Sequence, residues 1–190
     1  MPNKTTIALT EKQYMEFIEV MMTGGSYFRA NERICTAMIL EANLGLRIQD
    51  ILSLTPSNFV RDGERYRLRL LTEGKTKKKR PFPVPDAVYE FIMDYCRRNN
   101  IGKTDRIFPI TTRTVQKYLA KVSDYLGYED ISTHSFRKYF GTEVYRENGN
   151  DIVLVQKLYQ HSSPGITMRY IGVYSPQMEA ALRNHVKLPL

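Results

Sequence analysis

Histidine is scarce in this sequence, with His134, His161 and His185 the only three, so the company each keeps is informative. In Ser-Thr-His-Ser-Phe-Arg-Lys-Tyr-Phe-Gly-Thr, His134 and Arg137 stand three apart at the start of a predicted helix. They share a flank with Gly141, while Phe136, Tyr139, Phe140 and Val144 turn toward a core. An imidazole and a guanidinium at a helix N-terminus are suited to hold a phosphate. His161 precedes Tyr170 by nine residues, and Pro164 between them starts a turn that could bring the phenol back toward the imidazole. Arg47 follows Gly45, which permits a break between helices, and has Asp50 three positions on as an ion-pair partner. In Lys-Thr-Lys-Lys-Lys-Arg, the residues Lys75, Lys77, Lys78, Lys79 and Arg80 place five cations in six positions, a patch suited to an anionic polymer such as nucleic acid. Taken singly, each feature also has an ordinary structural reading: a capped loop and a packed tyrosine, a surface ion pair, a solvated turn.

The elements that must position these groups follow from periodicity and capping. Thr10 to Gln13 has capping-box spacing, and Tyr14, Phe17, Ile18, Met21 and Met22 follow at helical intervals until Gly24-Gly25. A second helix starts near Asn31, turns Ile34, Met38, Ile39 and Ala42 inward and ends at Leu44-Gly45; a short one resumes from Arg47 to Leu52. Residues 58–61 and 65–70 read as a hairpin around Asp62-Gly63, with Tyr66, Leu68 and Leu70 alternating with Arg65, Arg67 and Arg69. Gly74 and its basic neighbours make a second turn, and Pro81 to Val84 fits an edge strand, so the basic cluster lies at the tip of a small antiparallel sheet. Helices are then expected from Asp86 to about Arg98, Thr111 or Thr112 to Leu126, Ser132 or Thr133 to Glu147, and Asn150 or Asp151 to Tyr159. A helical turn follows Pro164, and an amphipathic segment runs from Pro176 to about Asn184. Arg113, Lys117 and Lys121 share one helix, where they read as a solvated face.

Composition bounds the class. The 28 Lys and Arg outnumber the 20 Asp and Glu, for a net charge of +8, which falls to +3 without the five cations of residues 75–80. At 42% hydrophobic and 25% charged, this is a globular chain, with no apolar run of membrane-spanning length and no secretory h-region. Cys35 and Cys96 lack metal-ligand spacing and read as reduced core thiols of an intracellular protein.

The ordered set is more specific than its parts. Gly45-Leu46-Arg47 with Asp50, Ile51 and Leu54, then Gly74-Lys75-Thr76, then Thr133-His134 with Arg137, then His161-Ser162-Ser163 with Thr167 and Tyr170, resembles the tyrosine recombinase (phage integrase) family from about Thr10 to Tyr174. The resemblance implies a mixed α/β, mainly helical catalytic domain with a small three-stranded antiparallel sheet, acting in site-specific DNA recombination. Arg47 and Arg137 would grip the scissile phosphate, whose charge grows in the transition state. Tyr170 would attack phosphorus to give a 3′-phosphotyrosine, His134 and His161 would bond the phosphate and help the phenol lose its proton, and Lys75 would protonate the leaving 5′-oxygen. Lys77, Lys78, Lys79 and Arg80 would bind neighbouring phosphates. No metal and no cofactor is implied. The implied partners are double-stranded DNA, other copies of the chain in a homotetramer on DNA (a monomer or weak oligomer when free) and DNA-bending accessory proteins. The implied setting is the cytoplasm of a bacterium or a phage host, at the nucleoid.

Some positions depart from the family pattern. Tyr159-Gln160 precede His161 where Leu-Gly is common, Phe136 and Lys138 stand where Leu and His are frequent, and Tyr174 is a second phenol at the wrong distance from His161. Only 46 residues precede Arg47, and they read as the first helices of a catalytic domain spanning 1–175, without a separate N-terminal DNA-binding domain. Either the chain is a fragment or it resembles the short fimbrial phase-variation recombinases. Residues 176–190 form a tail whose apolar stripe, Met178, Ala181, Leu182 and Val186, packs on its own core or docks on a neighbouring protomer. A type IB topoisomerase and a non-catalytic DNA-binding regulator remain as alternatives at this stage.

Overall fold

The computed structural model describes residues 6–69, 81–172 and 183–185. The chain forms two compact units, Met1–Phe140 and Gly141–Leu190.

In the first unit, Thr10 caps α1 (Glu11–Thr23) reciprocally: the Gln13 N–H donates to the Thr10 hydroxyl at 3.2 Å, and the Thr10 N–H donates to Gln13 Oε1 at 2.9 Å. The helix stops at Gly24 and buries Phe17 and Met21, whereas Met22, expected on the apolar face, is exposed. Asn31 caps α2 (Glu32–Leu44), its side chain accepting from the Ile34 N–H at 3.0 Å. Most of α2 is buried, including Ile34, Met38, Leu40 and Leu44, while Ile39 is half-buried. This makes α2 the central helix of the unit. Gly45 ends it with φ 60°, and Arg47 is the N-cap residue of α3 (Ile48–Leu52).

A three-stranded antiparallel sheet follows in the order β1 (Phe59–Asp62), β2 (Arg65–Arg69), β3 (Pro81–Val84). The hairpin turn is Gly63-Glu64, since Asp62 pairs with Arg65. The register aligns Phe59, Leu68 and Phe82 in one cross-strand row, and all three are buried. Tyr66 stacks on Tyr89 of α4 (Asp86–Arg98) with ring centroids 3.6 Å apart, which seats that helix against the sheet. Pro85 holds the N-cap position of α4, so Asp86, expected as the cap, is its first helical residue and favours the helix dipole. The strand edge tolerates Pro81 and Pro83 because β3 pairs on one side only. The connection between β2 and β3, with Lys75 and the basic run, lies outside the described residues.

Thr111 caps α5 (Thr112–Leu126) and left-handed Gly127 ends it. α6 (Thr133–Glu147) follows; its Phe136 meets Phe17 edge to face at 5.6 Å, and its Tyr139 stacks on Tyr14 at 4.8 Å. These aromatic contacts fix the rotation of α6 against α1. The Phe140 ring then occupies the space beside Gly45, where an added Cβ would approach its Cδ1 to 2.2 Å.

The second unit contains the end of α6 from Gly141 onward, α7 (Ile152–Tyr159) and α8 (Pro164–Ile171). Asp151 caps α7 through the Val153 and Leu154 N–H groups at 2.8 and 3.0 Å. Ser163 is the N-cap residue of α8, with Pro164 in its first turn. Most of the tail expected from residue 176 lies outside the described residues; positions 183–185 are helical. Cys35 and Cys96 are free and buried, and desolvation pushes their thiols up to about 12 and about 11. Among the described residues, no helix is long and apolar enough to cross a membrane. The fold is thus mainly helical with the small antiparallel sheet that the sequence pattern implies.

Gly45→Ala is expected to destabilise the protein by about 2–4 kcal/mol, combining left-handed backbone strain with overpacking against Phe140. Urea unfolding measures it, and wild-type stability would mean that Phe140 moves aside freely.

Candidate active site

The phosphate-type residues of the first unit are brought together by helix starts. A cavity of about 600 Å³ is lined by Arg47, Asp50, Thr112, Gln116, Thr133 and His134. Thr112 opens α5, and Thr133 and His134 open α6, so two helices present their first turns to the same space. The positive dipole ends of the two helices there favour an anion. Ser132 secures the α6 terminus, its hydroxyl accepting the His134 N–H at 3.2 Å while its own N–H donates to the Ser135 hydroxyl at 3.1 Å.

Arg137 follows one turn along α6 and is only 4% exposed, the mark of a guanidinium held in place rather than waving in solvent. Partial burial, then the charges of Arg137, Lys138 and Arg47, hold the His134 imidazole below its ordinary 6.5. Lys138 itself is tied down, donating to the Thr6 carbonyl. Glu41 of α2 lies beneath, fully buried, with neither carboxylate oxygen accepting a hydrogen bond of ordinary geometry. Burial pushes its carboxyl well above the usual range, opposed by the Arg137 charge and the nearby Ile48 N–H.

The second unit builds a separate cluster from α7 and α8. The His161 and Tyr170 rings lie 5.5 Å apart, centroid to centroid, at 78°, so the turn at Pro164 does return the phenol to the imidazole. His161 Nδ1 lies 3.0 Å from the buried Thr167 hydroxyl, which also reaches the Ser163 carbonyl at 3.4 Å. With the hydroxyl proton directed to that carbonyl, Nδ1 donates to Thr167 and Nε2 is left as the acceptor. The backbone of His161 is bracketed by Gln156, whose carbonyl accepts the His161 N–H and whose side-chain amide donates to the His161 carbonyl, each at 3.1 Å. Tyr170 is half-buried.

Thus Arg47, His134 and Arg137 are found together in one unit, and His161 and Tyr170 together in the other. Lys75, Lys77, Lys78, Lys79, Arg80 and Tyr174 lie outside the described residues. Arg113, Lys117 and Lys121 are exposed on α5, as a solvated face should be. Sequence reasoning missed Gln116, Thr112 and Glu41. Only Glu41 had a local signal, a carboxylate one turn after Met38 and Ala37 on the apolar helix. Among the described residues, no group of three or more His, Cys, Asp or Glu side chains gathers where it could hold a metal ion.

A sequence profile described as the phage integrase family matches residues 8–176. The chain belongs to this family. Among its relatives, the probable integrase/recombinase YoeC of Bacillus subtilis strain 168 is 35% identical over 158 residues, covering 80% of this chain and 84% of the relative. Tyrosine recombinase XerC of Caldanaerobacter subterraneus is 27% identical over 165 residues, which cover 81% of this chain but 45% of that protein. In solved structures, XerH site-specific recombinase bound to difH substrate has a TM-score of 0.70 at 20% identity, covering 98% of this chain and 56% of that one. The catalytic domain of bacteriophage HP1 integrase has a TM-score of 0.62 at 19% identity, covering 95% of both chains. These structural likenesses speak for the fold. Family membership and the integrase and tyrosine recombinase relatives give the enzyme class, that of a tyrosine-type integrase/recombinase.

The His134 environment has a measurable consequence. The folded state binds this proton more weakly than the unfolded chain, so the group makes stability rise with pH across the window just below 6.5. An NMR titration should place the His134 midpoint below 6.5 and show it rising in Arg137→Ala. A midpoint indifferent to that substitution would exclude the coupling.

Proposed function

We propose that this chain recombines double-stranded DNA at specific sites by cutting and rejoining strands through a covalent 3′-phosphotyrosine at Tyr170. The observation that carries this reading is the cavity at the first turns of α5 and α6, where Arg47 and His134 meet and Arg137 adds its buried charge. Such a setting favours a phosphate, because a guanidinium, an imidazole and two helix N-termini border it, with Asp50 the one carboxylate in its lining.

The chemistry follows from the side chains. Arg47 and Arg137 hold the non-bridging oxygens, where negative charge accumulates as phosphorus becomes pentacoordinate. The Tyr170 oxygen forms a bond to phosphorus while the bond to the 5′-bridging oxygen breaks. The phenol proton passes to His161 Nε2, left as an acceptor by the Thr167 contact. Lys75 delivers a proton to the departing 5′-oxygen, so charge does not build up on the leaving group. His134 donates to the phosphate. The phosphotyrosine bond keeps the energy of the broken linkage, so attack by a 5′-hydroxyl reseals DNA without ATP. That favours exchange of strands over digestion.

The same reading assigns Lys77, Lys78, Lys79 and Arg80 to flanking phosphates and places four copies on paired sites, with residues 176–190 docking on a neighbour and accessory proteins bending the DNA. The work is done in the cytoplasm, on chromosomal or phage DNA. Sequence-indifferent nicking with efficient relaxation by a monomer would instead mark a topoisomerase, and binding without cleavage a regulator.

A nicked suicide duplex carrying the true site should trap a covalent adduct that Tyr170→Phe abolishes. Arg137→Ala should slow adduct formation by about 10²–10³ at saturating DNA. An undiminished adduct in Tyr170→Phe overturns the assignment. Replacing Lys77, Lys78, Lys79 and Arg80 by glutamine should flatten the dependence of log affinity on log salt by up to about 3–4, while sparing the cleavage rate at saturation. An unchanged slope removes these four residues from the DNA interface.

A further inference from the structure

Tyr159 is the last residue of α7, and only 2% of it is exposed. A buried tyrosine at a helix end is a bulky way to fill a core, and here its surroundings are specific. Its ring meets the Tyr170 ring edge to face, with centroids 5.4 Å apart at 87°. It also meets the His161 ring at 5.2 Å and 50°. The three rings therefore contact one another pairwise, because His161 and Tyr170 are themselves in contact.

The other end of Tyr159 is fixed as closely. Its hydroxyl reaches over Gly141 of α6, where an added Cβ would come within 2.3 Å of the hydroxyl oxygen and 2.8 Å of ring Cζ. Gly141 lies in mid-helix and carries no positive φ, so backbone freedom does not explain a glycine here. What the missing side chain supplies is room for the phenol of Tyr159 and for Ile171, whose Cγ2 would lie 2.9 Å from that Cβ. Ile171 follows Tyr170 directly on α8. The seat at Gly141 thus sets where Tyr159 lies, and Tyr159 offers one face and edge to the two rings of the second cluster.

We propose that Tyr159 is a positioning residue for the nucleophile: anchored over Gly141, its ring forms the wall that holds Tyr170 and His161 in register with each other. The inference rests on Tyr170 being the nucleophile. An aromatic wall restricts the swing of the Tyr170 side chain, and small misplacements of a nucleophile are costly, about a hundredfold in rate for 1 Å. Edge-to-face geometry is satisfied at one ring orientation, whereas an aliphatic side chain of similar volume imposes no such angle.

The test uses the full chain and two readouts, one of them independent of activity. Tyr159→Leu and Tyr159→Met remove the ring, Met being able to refill the space if Leu does not fold; Tyr159→Phe keeps the ring. In protein with isotope-labelled tyrosine rings, the Tyr170 resonance is identified by its loss in Tyr170→Phe. It should be shifted by ring currents in the wild type and move toward the unshifted position in the Leu and Met variants, but not in Phe. With the suicide duplex, Leu or Met should lower the adduct rate at saturating DNA by roughly tenfold or more while leaving DNA affinity unchanged, and Phe should recover most of that loss. A Tyr170 resonance indifferent to Tyr159→Leu and Tyr159→Met overturns the inference, as does an undiminished adduct rate in those variants. If the wild type forms no adduct yet the Tyr170 resonance moves, the recombinase reading fails while the positioning contact stands.

Discussion

The seat of Phe140 against Gly45 is the contact on which the first unit's geometry depends. Gly45 does two jobs at once: it takes the left-handed conformation that ends α2, and it leaves an opening that an aromatic ring fills. Arg47 follows two residues later, and Arg137 stands one turn before Phe140. One close approach therefore fixes both arginine-bearing segments with respect to each other. The α1 contacts, Phe17 to Phe136 and Tyr14 to Tyr139, prevent α6 from rotating about that point. The cavity is what remains once these helix ends are locked.

Burial then sets the electrostatics. Arg137 is almost wholly removed from water, and an attraction between such a guanidinium and a phosphate is less screened than at the surface. A buried carboxylate beside it would compete with the incoming anion. Desolvation pushes the Glu41 carboxyl well above the usual range and so favours its neutral form, which weakens that competition. The depressed His134 has the same origin, since it shares its surroundings with Arg137, Lys138 and Arg47. An anion entering the cavity would raise the affinity of His134 for a proton, so that binding and protonation would be coupled through one field.

What was legible in the sequence, and what was not, divides along contact distance. Thr10 with Gln13, Asn31, Asp151 and the glycine stops at 24 and 45 act within a turn of themselves, so their patterns read directly. The His161–Tyr170 contact spans nine residues and one proline-started turn, which also made it readable. The burial of Glu41 and the share of Gln116 and Thr112 in the cavity depend on helices far apart in sequence meeting at particular rotations. Periodicity reports that a face is apolar, but not which helix covers it. For Arg47 and Arg137, ninety residues apart, only the ordered family motif connected them before the fold did.

Gln160 shows how the chain accommodates a departure from that motif. It ends α7 in the left-handed region, φ 56°, where glycine would be unstrained, and its side-chain oxygen is buried without a hydrogen-bond partner. Left-handed strain alone costs about 1–2 kcal/mol for a residue with a Cβ. Short-range bonds offset it: Gln160 N–H to the Lys157 carbonyl, and the two-way link between Gln156 and His161. Those bonds also fix the backbone of His161, so the strained residue sits inside the clamp that orients the imidazole. A glycine there would relieve the strain but widen the conformations open to the loop before folding. The local structure around His161 is therefore held by hydrogen bonds rather than by backbone preference. The aromatic wall at Tyr159 adds packing where the hydrogen bonds end.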